Sequence, residues 1–207
     1  AVWLDGNRKL AMIFFPLVAG LLIMAHPFIV LLFTASYEAS VPIFMLWTLS
    51  MVLASILTDS ALRVLALNRF LIVQNVIRLV LIVLFLHWFM AQFGLIGAVM
   101  ITLLASALTK ALALERIRRE LKIGLARLLP WKSLVVTALL SALAAIPAWL
   151  VMSSLDAAPL VLLMVTGPVY VLCYLVLLGR FGPLEPDELV QISEWLQKPF
   201  IWLRRAT

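Results

Sequence analysis

The stretch LIVQNVIRLVLIVLFL, residues 71–86, decides the fold of this chain. It belongs to an apolar run long enough to cross a bilayer, yet it carries Gln74, Asn75 and Arg78. At the rise of a helix, Arg78 lies about 13 Å beyond Arg69, near the middle of a hydrocarbon core about 30 Å thick. An arginine at that depth costs at least about 2.5 kcal/mol and usually faces a protein interior or a wet cavity. We therefore expect the other helices to enclose an interior around Arg78.

The composition of the whole chain indicates an integral membrane protein. Of the 207 residues, 65% are hydrophobic and only 13% are charged, and the mean hydropathy is +1.16. These values exclude a soluble domain, whose surface must be solvated. The lone Cys173 excludes an intrachain disulfide and gives no zinc-binding spacing. The expected fold class is therefore all-α, a polytopic membrane helical bundle.

Apolar runs and turn signals divide residues 1–207, taken as one transmembrane domain, into six membrane spans. Pro16 and Pro27 predict bends in the first span, because an interior proline frees backbone groups that neighbouring helices or water must satisfy. The predicted spans cover residues 10–33, 41–62, 70–90, 94–114, 133–152 and 159–179.

Two further segments are predicted to lie at the membrane surface. Residues 115–130 alternate basic and apolar side chains, a pattern typical of a segment along an anionic leaflet. Residues 185–203 place acids in a first turn and apolar residues at helical spacing, which predicts a short surface helix followed by a tail.

The distribution of basic residues predicts the topology. Lysines and arginines occur before the first span, between spans two and three, between spans four and five, and after span six. The three intervening loops contain Glu38 and Asp156 but no basic residue. By the positive-inside rule, both ends of the chain are expected in the cytoplasm.

Polar residues near Arg78 form the candidate binding site. Gln74 and Asn75 precede Arg78 by four and three residues, so both lie near its helical face. Asp59 and Arg63 stand four apart near the end of span two, at a spacing that favours an ion pair. Two interpretations of Asp59 and Arg63 stay open: an interfacial pair beside a cytoplasmic turn, or a cavity-lining group in which Asp59 neutralises Arg78.

Catalysis is poorly supported by the sequence. His26 and His87 have only Glu38 and Asp156 as nearby acids, so the sequence barely supplies the ligands that a metal site needs. No nucleophile elbow, glycine-rich phosphate loop or paired intramembrane carboxylates occur. We expect no enzymatic activity, no metal, no cofactor and no nucleic-acid partner. A bundle with a buried cation and bent helices instead suits the passage of an anionic group.

Three stretches taken together resemble the C-terminal half of polysaccharide flippases, of the O-antigen or exopolysaccharide type, in the multidrug, oligosaccharidyl-lipid and polysaccharide exporter superfamily. The resemblance covers roughly residues 9–117. Its motifs are FTASYEASVPIF at residues 33–44, DSALRVLALNR at 59–69 and FGLIGAVMIT at 93–102.

The resemblance implies that this chain is the second bundle of a transporter with twelve to fourteen spans, and that its partner is a missing N-terminal bundle of the same protein. It also implies translocation of an oligosaccharide linked to undecaprenyl diphosphate across a bacterial inner membrane, for polysaccharide biosynthesis or export. Arg78 suits this role independently, because an arginine in a low-dielectric cavity binds a diphosphate through charge-assisted hydrogen bonds. The sequence offers Arg78 as the one deeply placed cation.

Two other functions stay open. A drug or cation antiporter of the same superfamily would need an intramembrane acid as its ion site, and Asp59 is the candidate. A non-transporting membrane subunit of a polysaccharide synthesis complex would need no second bundle.

Overall fold

The computed structural model of the chain describes residues 2–124, 128–155 and 157–183. Within these ranges the chain is helical, with a 3-10 helix at Ala35–Ser40 and no strand. The α-helices are α1 (Val2–Ile23), α2 (Ala25–Phe33), α3 (Val41–Ala54), α4 (Thr58–Val64), α5 (Asn68–Phe93), α6 (Leu95–Leu121), α7 (Trp131–Ser154) and α8 (Pro159–Phe181).

Six helical segments of the described ranges are long and apolar enough to cross a membrane. This finding confirms the predicted all-α polytopic bundle with six transmembrane helices. The segments are Trp3–Ile23, Ala35–Val64, Asn68–Phe93, Leu95–Leu121, Trp131–Ser154 and Pro159–Phe181.

The helices pack in the order α5, α6, α3, α1, α7 and α8, and α2 also packs against α8. Helix α5 therefore lies at one edge, where it packs mainly on α6 and α4. Most of its large apolar side chains are exposed on the surface of the chain, including Ile72, Val76 and Leu79.

Two of the predicted spans are each divided into two helices. The first divides after Ile23, because the ring of Pro27 clashes with the carbonyl four residues earlier and Pro27 has no N–H to donate. The predicted second span, residues 41–62, divides between Ala54 and Thr58, where the sequence has neither proline nor glycine. We call residues 55–57 the α3–α4 break.

Two tyrosines of α8 compensate for the proline inside α1. Pro16 cannot donate to the carbonyl of Met12, four residues before it. The hydroxyl of Tyr174 donates to that carbonyl at 2.8 Å, and the hydroxyl of Tyr170 donates to the carbonyl of Pro16 at 2.9 Å. Both tyrosines are buried. The backbone carbonyl that Pro16 leaves without its donor is thus satisfied by another helix.

Helices α5 and α6 form a hairpin whose tight approach depends on glycine. Gly94 adopts φ +60° at the turn. A Cβ added at Gly97 would lie 2.1 Å from the carbonyl oxygen of Phe89, so only a glycine permits this backbone contact. The hairpin consequently has a fixed register between α5 and α6.

The first part of the predicted surface segment at residues 115–130 is helical. Helix α6 continues to Leu121 instead of ending near residue 114. Ile117 and Leu128 are fully buried against Leu62, so they pack inside the protein instead of facing lipid. Residues 125–127 and the predicted surface helix at 185–203 lie outside the described residues.

Candidate functional site

A cleft of about 250 Å³ lies between α3, α5 and α6, and we call it the Arg78 cleft. Its wall combines two cations, three hydroxyl side chains and an apolar remainder. The lining residues are Trp47, Ser50, Leu53, Ala54, Arg78, Val99, Thr102, Leu103, Ser106 and Lys110.

The hairpin brings the two cations of the cleft to the same depth. Arg78 stands 16 residues before Gly94, and Lys110 stands 16 residues after it. Since α5 and α6 are antiparallel around this turn, both side chains leave their helices about 24 Å from the turn. The fixed register at Gly97 maintains this correspondence.

Lys110 also contacts the α3–α4 break. Its ammonium donates a hydrogen bond of 2.7 Å to the carbonyl of Ile56, which lies in the break. The carboxylate of Asp59 and the guanidinium of Arg78 both act electrostatically on the Lys110 charge, with opposite signs. Lys110, Arg78 and Asp59 are therefore close enough to interact electrostatically, and their formal charges sum to +1.

Helix α1 also contacts the α3–α4 break. The side-chain oxygen of Asn7 accepts a 2.9 Å hydrogen bond from the Leu57 N–H, and the Trp3 indole donates to the Leu57 carbonyl at 3.2 Å. Asn7 is only 1% exposed. Polar side chains from α1 and α6 thus satisfy the backbone groups that the interrupted helix leaves unpaired, as a membrane environment requires.

The hydroxyl groups of the cleft are already engaged as donors. Ser50 donates to the carbonyl of Trp47, Thr102 to that of Ala98, and Ser106 to that of Thr102. The remaining hydrogen-bond donors of the lining side chains are therefore those of Arg78, Lys110 and the Trp47 indole, and of these only Arg78 and Lys110 carry a positive charge.

The predicted site residues are only partly brought together. Arg78 lines the cleft, whereas Asn75 and Arg63 are exposed and lie outside its lining. Asp59 accepts a 3.3 Å hydrogen bond from Thr58 and makes no ion pair with a described residue. Its expected pairings with Arg63 and Arg78 are thus not formed in this structure.

Gln74 is 7% exposed, and its side-chain oxygen has no hydrogen-bond partner among the described residues. A buried amide oxygen without a partner is costly inside a membrane. Gln74 lies outside the lining of the Arg78 cleft.

Lys110 is the site residue that sequence analysis missed, since it had counted Arg78 as the one deeply placed cation. The signal was available: Lys110 stands six residues, or about 9 Å, inside Arg116 on the same helix. Counting outward from the Gly94 turn would have paired it with Arg78.

No group of three or more potential metal ligands occurs in the part of the chain that the structure describes. Comparisons with protein-family models, with curated proteins and with solved structures give no match to this chain.

Proposed function

We propose that this chain forms part of a transporter that translocates a lipid-linked oligosaccharide across a bacterial inner membrane, with both of its ends in the cytoplasm. The diphosphate of an isoprenoid carrier, with undecaprenyl as the expected chain, binds between Arg78 and Lys110. The observation that carries the proposal is the presence of these two cations at one depth of one cleft between membrane helices.

The chemistry of a diphosphate suits this arrangement. Two like charges in a low-dielectric site repel each other, and a bound dianion adds an attraction to each cation that offsets this repulsion. Arg78 offers a planar fork for two phosphate oxygens, and Lys110 offers a point charge that adjusts to either phosphate. Hydrogen bonds between charged partners are about twice as strong as neutral ones.

The position of Arg78 also supports the proposed second bundle. Its side chain is exposed on the surface of the chain, among the apolar side chains of α5. A cation at this depth is unstable against lipid and is normally covered by protein or water. We therefore propose that the missing N-terminal bundle covers α5 and completes a cavity around the cleft.

The volume of the cleft suits the diphosphate alone, with the saccharide outside it. At about 250 Å³ it is smaller than most ligand pockets, which measure roughly 300–1,000 Å³. It accommodates a compact charged group, and the saccharide would lie in the larger cavity between the bundles.

In the proposed mechanism, Lys110 couples phosphate binding to a movement of α4. In this structure its ammonium is bonded to the Ile56 carbonyl in the α3–α4 break. A phosphate that competes for the ammonium would release this carbonyl and loosen one of the contacts that hold α4. A ligand shifts a conformational equilibrium only through such differential contacts.

A drug or cation antiporter remains the second candidate. One observation favours it: the carboxylate of Asp59 makes no ion pair with a described residue and is exposed. In that mechanism Asp59→Asn abolishes transport, whereas in the flippase mechanism it leaves the two phosphate-binding cations in place.

Complementation of a flippase-deficient strain by the full-length protein tests the proposal. We expect Arg78→Ala and Lys110→Ala to abolish complementation at normal membrane abundance, and Arg78→Lys to rescue only in part because it lacks the planar fork. Arg180→Ala, at the end of α8, is the matched control because Arg180 is an exposed cation outside the cleft. Normal complementation by both alanine variants would refute the proposed role of these two cations. Failure of the wild type to complement would refute the flippase proposal and favour a non-transporting subunit.

A further inference from the structure

A second and larger cleft lies at the polar ends of α5 and α6, and we call it the basic cleft. Its volume is about 870 Å³. It lies on the side of the bundle that we propose to be cytoplasmic. The lining residues are Ala66, Leu67, Asn68, Arg69, Phe70, Val73, Ile77, Leu112, Glu115, Arg116 and Arg119.

The polarity of the basic cleft changes along its length. Arg69 on α5 and Arg116 and Arg119 on α6 lie at its outer end. Its inner end is lined by apolar side chains that include Val73 and Ile77, and Ile77 lies about 12 Å along the helix from Arg69. The cleft is thus basic at the height of the lipid headgroups and apolar at the height of the acyl chains.

Two arginines of the basic cleft have hydrogen-bond donors available for a ligand. Its one acid, Glu115, is already bonded by Arg118 at 2.7 and 2.8 Å and by Arg119 at 2.8 Å. Arg69 makes no ion pair or hydrogen bond with another residue in the described ranges. Arg116 pairs with Glu120 at 2.6 Å, but its buried Nε has no hydrogen-bond partner there.

We propose that the basic cleft binds an anionic phospholipid, with the anionic headgroup and phosphate between Arg69 and Arg116 and the acyl chain along Val73 and Ile77. Basic clefts between membrane helices on the cytoplasmic side are suited to anionic headgroups. The apolar inner wall distinguishes this site from one for a soluble phosphate, which would gain nothing from it. The proposal is independent of what the Arg78 cleft transports.

Native mass spectrometry of the purified full-length protein, with phosphatidylglycerol or phosphatidylcholine added in detergent, tests the proposal. Each arginine near an anionic surface strengthens binding about 5-fold. Removal of two arginines should therefore weaken phosphatidylglycerol binding about 30-fold. We expect this loss in the double variant Arg69→Gln, Arg116→Gln, and no change in the control Arg180→Gln. The charge-conserving variant Arg69→Lys, Arg116→Lys should retain most of the binding.

Three results would overturn the proposal. Equal retention of phosphatidylglycerol by the wild type and the glutamine double variant would show that these cations do not hold the headgroup. Equal binding of phosphatidylcholine by the wild type would remove the role of anionic charge. Full displacement of phosphatidylglycerol by an equimolar amount of soluble glycerol phosphate would show that the apolar wall contributes nothing. Because lipid binding and not transport is measured, failure here is distinguishable from failure of the flippase proposal.

Discussion

Gly97 controls the register that aligns Arg78 with Lys110, so its replacement perturbs both the fold and the site. In Gly97→Ala, the new methyl group would lie 2.1 Å from the Phe89 carbonyl oxygen and 2.5 Å from its carbon. These are backbone atoms, so no side-chain rotation relieves the clash. The two helices must separate by about 1.3 Å to reach an ordinary contact of 3.4 Å.

The expected loss of stability can be worked out from the known effect of adding a methyl group to a packed contact. Inserting one methyl group into a well-packed contact typically costs about 1–3 kcal/mol. An alanine is better than a glycine inside a helix by up to about 1 kcal/mol, which offsets part of that cost. Because both variants gain the same helix propensity, we expect the free energy of unfolding of Gly97→Ala to lie about 1–3 kcal/mol below that of an alanine variant at an uncrowded helical glycine.

Gly179→Ala is the matched control, because Gly179 is also helical and a Cβ there meets nothing within 4 Å. Reversible unfolding in mixed micelles, followed by tryptophan fluorescence, measures both variants. Gly179→Ala should be as stable as the wild type or slightly more stable. If Gly97→Ala is as stable as Gly179→Ala, the close hairpin described above is wrong.

Other contacts and the topology give three further predictions. Tyr174→Phe leaves the carbonyl of Met12 without its donor and should lower the free energy of unfolding by about 0.6 kcal/mol, the average for hydrogen bonds between membrane helices, and by no more than about 1.7 kcal/mol; an unchanged unfolding curve would contradict the proline compensation. Asn7→Ala leaves the part-buried Leu57 N–H without its acceptor and should cost about 0.5–1.5 kcal/mol, measured in the same assay, and a stability equal to the wild type would show that α1 does not hold the break. Single cysteines should react with an impermeant reagent from outside at Ser36, Gln92 and Ser154 and from inside at Asn68 and Gly124, and any reversed position would refute cytoplasmic ends.

The number of membrane helices could be predicted from the sequence because it depends on the length and hydropathy of each apolar run. The α3–α4 break could not, since residues 55–57 contain no proline or glycine. The backbone groups of the break are satisfied by Trp3, Asn7 and Lys110, which lie about 50 residues away in the chain. Local propensity carries no information about such partners.

The candidate site was predictable where a charge interrupts an apolar run. Arg78 is isolated in this way, and the structure places it in a cleft. Lys110 was missed because it lies close to the basic end of α6, where a cation has an ordinary interfacial explanation. Asp59 was favoured by its spacing from Arg63, but spacing alone does not fix the rotamers of two exposed side chains, and no ion pair forms.

Binding of an isoprenoid diphosphate to the full-length protein, compared between the wild type, Arg78→Gln, Lys110→Gln and the double variant, tests the central claim most directly. Each single variant should bind the diphosphate about 10-fold more weakly or worse, because a hydrogen bond between charged partners contributes about 1.5–3 kcal/mol. The double variant should bind more weakly than either single variant, since both cations hold the same ligand. Binding of the uncharged isoprenoid alcohol should be the same in all four proteins. Wild-type affinity for the diphosphate in both single variants, or an equal loss for the alcohol and the diphosphate, would contradict the account.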